Sequence, residues 1–532
     1  MKRATSRQPL LKSKKPRDEA KFQVLHDDAT LLWIHATDVE RSNQAQLHHG
    51  KLAETFFEQF LYPKDVAFFN REVFHKRALA ITGIGKGRIR DLVDDFFCKG
   101  QPDELIDKSA SEDGVSIWLA NNAQSVQSFK TTDKEFAKAM LKQKMGSIYM
   151  RAPVKTCEQL SLGICRDLQL PFGTHPDGRS RGEVEVFIAS QLSKKTPTHT
   201  DFQENFTVQL KGKKLWRLHV GDLKNPLRAK SPHFANTPLR VVETQILASQ
   251  MCGGSSAIDP PPQSSPGWVT VELGPGDVLY HPPGIWHNVE TIELDASNDP
   301  TDPLCINLST NISVFTPTWA ELLSNGIRHL MNASETMRRP AQVGDEEVVL
   351  QEMKALLQGS ISRLLPQHVL PIGALQAVAS AAQSSSSEDE ESGDEFDSSE
   401  ANFCFEWDQF QNGNHSMLED NVNGFIFNPL ALMLIESDLS DDPATFDEDV
   451  FGIVVHVNMG TSELESLSRF ELVDIPATYL QAMRTLRSQS KHGGKSVEKL
   501  MKSLFPNNDA VQHQVLLALL TIGFFTQVSS KS

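Results

Sequence analysis

The fold of this chain is constrained most strongly by short segments in which apolar and polar residues alternate. Two of these segments lie next to a histidine or an aspartate. His199 and Asp201 are separated by one residue, and His287 follows a later alternating segment. Because side chains two positions apart on a strand point to the same side, His199 and Asp201 are able to bind one ion. His287 must then come from a partner strand. The sequence predicts a β-rich domain in which two imidazoles and one carboxylate occupy one face of an octahedral metal site.

A predicted hairpin follows the first motif. Residues 205–210 alternate, Lys211-Gly212 predicts a tight turn, and residues 213–218 begin the returning strand. This hairpin carries Lys214 inward, toward the side on which the metal ligands lie. A solvated turn is the alternative interpretation for Lys214 and the expectation for the lysines beside it.

The order of these motifs resembles the JmjC family of 2-oxoglutarate oxygenases. In that family the patterns H-x-D, N-F, Q-x-x-G-x-K-x-W and G-D-x-L-Y-x-P-x-G-x-x-H follow one another, and here they begin at His199, Asn205, Gln209 and Gly276. The resemblance implies that His199, Asp201 and His287 are the catalytic residues and hold Fe(II), and that Lys214 binds the far carboxylate of 2-oxoglutarate. A buried dianion needs a paired charge, which is an independent physical reason for such a lysine.

Four further residues are candidates for binding the cosubstrate. The resemblance suggests Thr196 and Asn205, for which strand-surface polar groups are the alternative. Residues 305–315 alternate strongly and place Asn311 and Ser313 on one face. Polar side chains at every second position of an otherwise apolar strand each need a partner, so they indicate a polar pocket.

Residues 68–74 and 316–323 are similar to segments of the ribosomal-oxygenase group within this family. The resemblance implies an Fe(II)-, 2-oxoglutarate- and O2-dependent dioxygenase that hydroxylates a protein side chain. The relatives modify ribosomal proteins, at histidine in eukaryotes and at arginine in bacteria, and some are described as histone lysine demethylases. Histidine is therefore the favoured target. An asparaginyl or arginyl hydroxylase and a non-catalytic cupin-like scaffold are the alternatives.

The chain departs from the eukaryotic pattern on the strand before the metal motif. Glu185 and Phe187 stand where those relatives usually carry Asn and Tyr. An extra carboxylate near the pocket changes how a substrate side chain is held. A further histidine, His281, is expected to be an outward strand residue, with a metal-ligand role as the alternative.

Composition fits a multidomain protein. At about 150 residues per domain, 532 residues imply several domains, and 39% hydrophobic residues suffice for their cores.

No apolar run approaches the roughly 18 residues of a membrane-spanning helix, and the longest, residues 515–522, predicts a core helix. Six cysteines without zinc-site or disulfide spacing indicate a reducing compartment.

Two segments carry charge of a single sign. Residues 1–17 are basic without an acid, typical of a nuclear-import or nucleic-acid patch, with a solvated end as the alternative. Residues 384–400 contain eight acids and no base, which predicts disorder and serines that suit an acid-directed kinase. This acidic segment is expected to attract basic proteins or to act as a spacer. It supplies half of the net charge of −16, so the remaining chain is only mildly acidic.

The predicted fold is mixed α+β, with a double-stranded β-helix (jelly-roll, cupin-like JmjC) barrel, flanking helices, a helical segment and a C-terminal winged-helix-like domain. The predicted boundaries are a disordered basic tail (1–20), a mixed α/β lead-in covering the barrel (21–145), the catalytic core (146–318), a helical, dimerising segment (319–375), a disordered Ser/acidic linker (376–402) and the winged-helix-like domain (403–532). Residues 222–267 are expected to border the peptide entrance. The C-terminal helices are too sparsely basic for a nucleic-acid footprint.

The expected partners are a ribosomal protein or a histone tail and, by analogy with relatives that dimerise through helices, a second copy of the chain. No membrane partner is expected. The expected location is the nucleus or nucleolus, with the cytoplasm as the alternative.

Overall fold

The structure is a computed structural model, and it describes twenty-six stretches of the chain. These are residues 22–37, 55–89, 92, 96–109, 114–119, 127–170, 182–192, 196–221, 225–226, 243, 247, 250–251, 260–295, 305–314, 318–332, 334–340, 345–359, 361, 364, 402–410, 422–428, 430–435, 449–457, 468–490, 496–506 and 508–529. The predictions for the basic tail, for the acidic linker and for most of residues 222–267 lie outside the described residues.

The first thirteen strands form two sheets. In chain order they are β1 Phe22–Asp27, β2 Leu31–Ala36, β3 Ala78–Thr82, β4 Val115–Leu119, β5 Gln127–Thr131, β6 Gly146–Arg151, β7 Gly182–Ala189, β8 Glu204–Lys211, β9 Lys213–Val220, β10 Val269–Leu273, β11 Val278–His281, β12 Ile285–Glu293 and β13 Asn307–Val314. The large sheet has the order β1-β2-β3-β11-β8-β13-β7-β6-β4-β5, and the small sheet has the order β10-β9-β12. Every pair is antiparallel except β2 with β3.

The strand order is that of a jelly roll. Strands β8 and β9 are joined by the Lys211-Gly212 turn yet belong to different sheets, and so do β11 and β12. The chain thus crosses repeatedly between two facing sheets, as in a double-stranded β-helix. The predicted mixed fold with a cupin-like jelly roll and flanking helices is confirmed.

The central strands of the large sheet have one apolar face, which packs against helices. The apolar side chains come from alternate positions, among them Val184, Val186, Ile188, Phe206, Val208, Leu308 and Ile312, all fully or almost fully buried. Phe206 contacts the rings of Phe57, Phe60 and Phe69 in edge-on and tilted geometries. Because strand residues alternate, the opposite face carries the other set of side chains toward the small sheet.

In the part of the chain that the structure describes, five helices accompany the large sheet: α1 Phe56–Leu61, α2 Val66–Glu72, α3 Pro102–Asp107, α4 Lys134–Lys142 and α5 Val154–Leu168. Their starts follow local chemistry. Thr55 and Glu58 form a reciprocal capping box at the start of α1, and Asp65 caps α2 through the backbone N–H of Phe68. Arg88 is buried and donates to backbone carbonyls at the end of α1, including that of Tyr62.

A second apolar core lies between the two sheets. It joins Trp216, Leu218, Val271, Leu273 and Ile285 of the small sheet to buried residues of β2, β3 and β11. This core packs the small sheet against strands β2, β3 and β11 of the large sheet.

Three helices follow the barrel: α6 Trp319–Asn332, α7 Glu335–Arg338 and α8 Glu346–Gln358. The sequence predicted helices in this segment. Leu322 and Leu330 of α6 pack against Leu430 of the C-terminal region, whereas α8 leaves several apolar side chains exposed, namely Val348, Val349, Leu350, Met353 and Leu357.

The C-terminal region has its own core. Its helices, α9 Leu480–Ser490, α10 Val497–Leu504 and α11 Asp509–Thr521, agree with the three predicted from periodicity, and α11 is the predicted core helix. The sequence pattern did not indicate the sheet of β14 Asn402–Glu406, β16 Ala431–Ile435, β17 Val450–Val457 and β18 Ser468–Pro476, or β15 Val422–Phe427 as the partner of β19 Phe525–Ser529. The predicted domain boundaries stay predictions. Among the described helices, none is long and apolar enough to cross a membrane.

Candidate metal centre and its polar pocket

The two metal motifs meet as antiparallel backbone. His199 and His287 form a β-bridge, with the N–H of each donating to the carbonyl of the other at 3.0 and 2.8 Å. The N–H of Gly284 donates to the carbonyl of Asp201 at 3.0 Å. These backbone bonds hold the H-x-D segment against the start of β12, which is the partner strand that the sequence required.

The three predicted ligands form one cluster. Ligand atoms of His199, Asp201 and His287 all lie within 4.8 Å of one another. The two imidazole centroids are 4.1 Å apart, and Nε2 of His287 is 3.6 Å from Oδ2 of Asp201. Two imidazoles and a carboxylate around one point are a donor set that suits a divalent transition metal and leaves open coordination positions.

Each imidazole is held in the tautomer that suits a metal ligand. Nδ1 of His199 faces the carbonyl of Pro197 at 2.8 Å, and Nδ1 of His287 faces that of Ile285 at 3.1 Å. A carbonyl only accepts, so Nδ1 carries the proton and Nε2 presents a lone pair to the cluster. Burial and the neighbouring His199 hold the pKa of His287 well below its ordinary value, which favours the neutral ring.

Two neighbours fix the orientation of these ligands. The amide of Asn205 donates to Oδ2 of Asp201 at 3.2 Å. The indole of Trp216 stacks on His287 with centroids 5.7 Å apart and planes 26° apart. The predicted site residue Asn205 thus contacts a candidate metal ligand, and it is almost completely buried.

The large sheet presents a floor of polar side chains to the small sheet. Strand register aligns three rows across β7, β13 and β8: Phe187, Ser309 and Gln209 in the first, Glu185, Asn311 and Thr207 in the second, and Glu183, Ser313 and Asn205 in the third. Asn205 connects the third row to the metal cluster. The predicted pocket residues Asn311 and Ser313 both lie on this floor.

Lys214 reaches the first row from the small sheet. Its Nζ is 2.6 Å from the hydroxyl of Ser309 and 5.1 Å from the centre of the Phe187 ring. Among the described residues no carboxylate pairs with it. Burial lowers the pKa of Lys214 to about 7, because the site offers no compensating anion. An unpaired buried ammonium of this kind fits the carboxylate of an anionic ligand.

Glu185 is the centre of a hydrogen-bond network in the second row. Its Oε1 accepts from the hydroxyl of Tyr149 at 2.9 Å, and its Oε2 accepts from the amide of Asn311 at 2.8 Å. Asn311 also donates to Oδ1 of Asn205 at 2.7 Å, and the hydroxyl of Ser313 is 2.8 Å from the same oxygen. Two side chains therefore link Glu185 to the candidate ligand Asp201.

The acidity of this network is shifted by its surroundings. Burial, with the nearby charges of Glu183 and Asp201, raises the pKa of Glu185 to about 7. Burial and the nearby charges of Glu185 and Glu183 hold the pKa of Tyr149 well above its ordinary value, so the phenol stays a donor. The departure at position 185 thus places an acidic group with an unusual pKa on the pocket floor.

Thr196 lies apart from this floor. Its hydroxyl accepts from the N–H of Val289 at 2.9 Å, and its own N–H donates to the carbonyl of Val289 at 2.8 Å. These bonds attach the segment before the metal motif to β12. The structure gives Thr196 this architectural contact, and its role toward a cosubstrate stays a prediction.

The expectation for His281 was wrong in one respect. It is not outward-facing but almost completely buried, 4.5 Å from His287 between ring centroids, and its register partner is Asn205. Burial and His287 lower the pKa of His281 to about 3. The physical reason is the alternation of side chains along β11. His281 falls on the same face of the sheet as its register partner Asn205, which is the polar face.

The predicted cosubstrate site left out three residues that define the pocket. The alternation of residues 305–315 places Ser309 on the same face as Asn311 and Ser313, but only the latter two were chosen as site residues. Tyr149 and the facing position of Phe187 depend on the pairing of β6 with β7, which only the folded sheet reveals.

Comparison with known proteins agrees with the fold. Residues 92–312 match the cupin-like domain family. The uncharacterized protein YxbC of Bacillus subtilis (strain 168) is 23% identical over 204 residues, which are 37% of this chain and 51% of that protein. The chain therefore spans about half the length of this curated relative.

Solved structures of YcfD, a ribosomal oxygenase from Escherichia coli, align with 87% of this chain and 98% of theirs at 15% identity. The complex with cobalt and succinic acid and the complex with cobalt and 2-oxoglutarate both give a TM-score of 0.36.

The fold and the site define a cupin-like protein with a two-histidine, one-carboxylate cluster and a polar pocket beside it. More particularly, residues 92–312 match the cupin-like domain family, which agrees at the level of fold with the JmjC resemblance of the motif order.

Proposed function

We propose that this protein is an Fe(II)- and 2-oxoglutarate-dependent oxygenase that hydroxylates a side chain of a protein. One observation carries the proposal: a buried ammonium without an anionic partner shares a pocket with a compact His-Asp-His cluster. A metal site alone fits many reactions. A metal site with a separate binding group for a carboxylate fits a dicarboxylate that chelates the metal through one end and meets the ammonium through the other.

The residues of the metal cluster bind and orient. His199 and His287 present Nε2 because their Nδ1 protons are committed to backbone carbonyls. Asn205 holds the carboxylate of Asp201 in one rotamer. Bound iron with 2-oxoglutarate supplies the activation of dioxygen that side-chain hydroxylation needs.

Lys214 and Ser309 anchor the far carboxylate of 2-oxoglutarate. The ammonium supplies the charge, and the hydroxyl that it now contacts is a second hydrogen-bond donor. Phe187 forms an apolar wall beside them. Lys214 is itself buried, which strengthens the pairing of charges there.

The motif resemblance supports a ribosomal protein or a histone tail as the substrate. Histidine is the target that the eukaryotic relatives suggest, and demethylation of histone lysine is the same hydroxylation at an N-methyl group. The basic residues 1–17 support a nuclear or nucleolar location, with the cytoplasm as the alternative, and a fluorescent fusion with and without residues 1–20 tests it. Homodimerisation is part of the same proposal, and sedimentation of the purified protein tests it.

The direct test measures succinate formed from 2-oxoglutarate by the purified full chain with Fe(II) and O2, with and without a ribosomal-protein extract. Mass spectrometry of the extract then locates the added oxygen atom. We expect turnover that the extract stimulates and that Asp201→Ala abolishes. His219→Ala is the matched control, because it removes an imidazole from the small sheet without touching the metal cluster.

Two results would contradict the proposal. Failure of Fe(II) to raise the melting temperature of the wild type would support a non-catalytic scaffold. Succinate formation that survives in Asp201→Ala would show that the activity does not come from this site.

A further inference from the structure

Glu185 introduces a negative charge that the polar pocket does not balance. Both carboxylate oxygens accept hydrogen bonds, yet all of the donors, Tyr149, Asn311 and Ser313, are neutral. Neutral donors orient a carboxylate without cancelling its charge. A buried acid in this position is costly unless a cation joins it.

The nearest cation on the sheet is already paired. Arg151 is the register partner of Glu185 across β6 and β7. Its guanidinium nevertheless pairs with Glu183, with Nη2 2.5 Å from Oε2. Among the described residues, no basic side chain forms an ion pair with Glu185.

A charge count of the loaded pocket leaves one positive charge missing. A divalent metal and Lys214 would contribute three positive charges. Asp201, Glu185 and the dianionic cosubstrate would contribute four negative ones. Charges that lie close together in one pocket are favourable only when they balance, so the loaded pocket favours one more cation.

We propose that Glu185 is a specificity-determining residue that selects a cationic substrate side chain, a guanidinium or an ammonium, over a neutral one. This inference rests on the proposed function and narrows its substrate class to arginine or lysine, in place of the histidine that the eukaryotic relatives suggest. The carboxylate is held by Tyr149 and Asn311 on the floor between the row that Lys214 contacts and the row that adjoins the metal cluster.

The acidity of the site supports this assignment. The groups that face Glu185 are the carboxylates of Glu183 and Asp201, the phenol of Tyr149 and, on the neighbouring strand, the guanidinium of Arg151. Burial and the two carboxylates raise the pKa of Glu185 to about 7, so a bound cation would lower it again. Affinity for the cationic side chain therefore increases as the pH rises from 6 to 8.

The test compares isosteres that differ in charge. Each fluorescein-labelled Gly/Ser peptide carries one central residue. Arginine is compared with its neutral isostere citrulline, and lysine is compared with norleucine. Binding to the full chain is measured by fluorescence anisotropy at pH 8, once with Mn(II) and 2-oxoglutarate under argon and once with neither. We expect at least about ten-fold tighter binding of a cationic peptide than of its neutral isostere, from a charge-assisted pair in a desolvated site.

In Glu185→Gln the ratio should fall to about one, while the side-chain volume is kept. Glu290→Gln is the matched control, because it removes a carboxylate of β12 that pairs with Arg217 away from the pocket floor. A purely structural role of Glu185 would weaken the binding of both isosteres equally and leave the ratio unchanged. An unchanged ratio in Glu185→Gln, or a wild-type ratio near one, overturns the inference.

The two proposals fail in different ways. Turnover of 2-oxoglutarate without a charge preference refutes the role of Glu185 and leaves the oxygenase intact. A preference for the cation that depends on Glu185 without any turnover supports the cation site and removes the oxygenase. The arginine and lysine peptides show which of the two cations the site prefers.

Discussion

Lys214 shows how a single side chain connects sequence, stability and ligand binding in this protein. Its Nζ is buried against Ser309, and burial lowers its pKa to about 7 from an ordinary value of 10.5. The burial of Lys214 therefore lowers the stability of the folded protein, and an anionic ligand is suited to offset that loss.

Lys214→Met should remove the anchor for 2-oxoglutarate. We expect affinity to fall about 100-fold or more, because a dianion would be left with an unpaired buried carboxylate. Isothermal titration calorimetry of Mn(II)-loaded protein with 2-oxoglutarate measures this affinity. Lys213→Met, the same substitution on the opposite face of β9, is the matched control, because Lys213 pairs with Glu293 away from the pocket. Unchanged affinity in Lys214→Met would show that the ammonium does not contact the ligand.

The same substitution has a predictable pH dependence in ligand-free protein. Between the folded pKa near 7 and the ordinary value of 10.5, the unfolded chain binds more protons at Lys214 than the folded chain. Wild-type stability at this position thus rises with pH across that window, and the cost is complete below pH 7. Urea unfolding should show Lys214→Met more stable than the wild type at pH 6.5 by up to about 5 kcal/mol, with the gap narrowing by pH 10. A gap that widens with pH would contradict the assignment.

The hairpin of β8 and β9 is the element that sets the position of Lys214. Gly212 has a positive φ of 67° at its turn. A Cβ there would meet the carbonyl oxygen of Glu293 and would lie 2.7 Å from the amide of Asn307. The turn must therefore approach neighbouring backbone closely, and glycine is the residue that permits both the conformation and the approach.

Gly212→Ala should shift the turn and the lysine two residues later. We expect a loss of roughly 1–3 kcal/mol of stability in urea unfolding, together with weaker 2-oxoglutarate binding. Gly163→Ala is the control: it lies in helix α5, has no heavy atom within 4 Å of its would-be Cβ, and should be neutral or stabilising by up to about 1 kcal/mol. Equal effects of the two substitutions would contradict this account of the hairpin.

At the scale of the whole molecule, two large cores are separate. One holds the jelly roll and its helices, and the other holds the C-terminal sheet and helices α9 to α11. Among the described residues, a small cluster of Leu322, Leu330 and Leu430 packs helix α6 against the C-terminal region. Such limited packing favours two cooperative units.

Thermal unfolding should accordingly show two transitions. Saturation with Mn(II) and 2-oxoglutarate should raise one transition, by about 3–4 kcal/mol at concentrations 100 to 1,000 times the dissociation constant, and leave the other in place. Leu472→Ala should lower only the transition that the ligands do not move, and Leu308→Ala only the one they do, by about 2–5 kcal/mol each. A single transition that responds to both substitutions would contradict the separation.

The sequence by itself determined the jelly-roll strands, the metal-ligand candidates and the inward lysine. Period-two alternation and turn residues are local signals, and strands β8 to β13 follow them closely. It also placed Asn311 and Ser313 on one face, since parity along a single strand is a local property.

Only the tertiary structure decided which strands pair and in which register. That pairing placed Tyr149 and Glu185 in one network, set Ser309 beside Lys214 and turned His281 inward against His287. The C-terminal sheet likewise depends on contacts between distant segments, among them the parallel pairing of β14 with β18. The physical reason is common to all of these: local propensity determines the face of a residue on its own strand, whereas its neighbours and its pKa depend on strands far away in the chain.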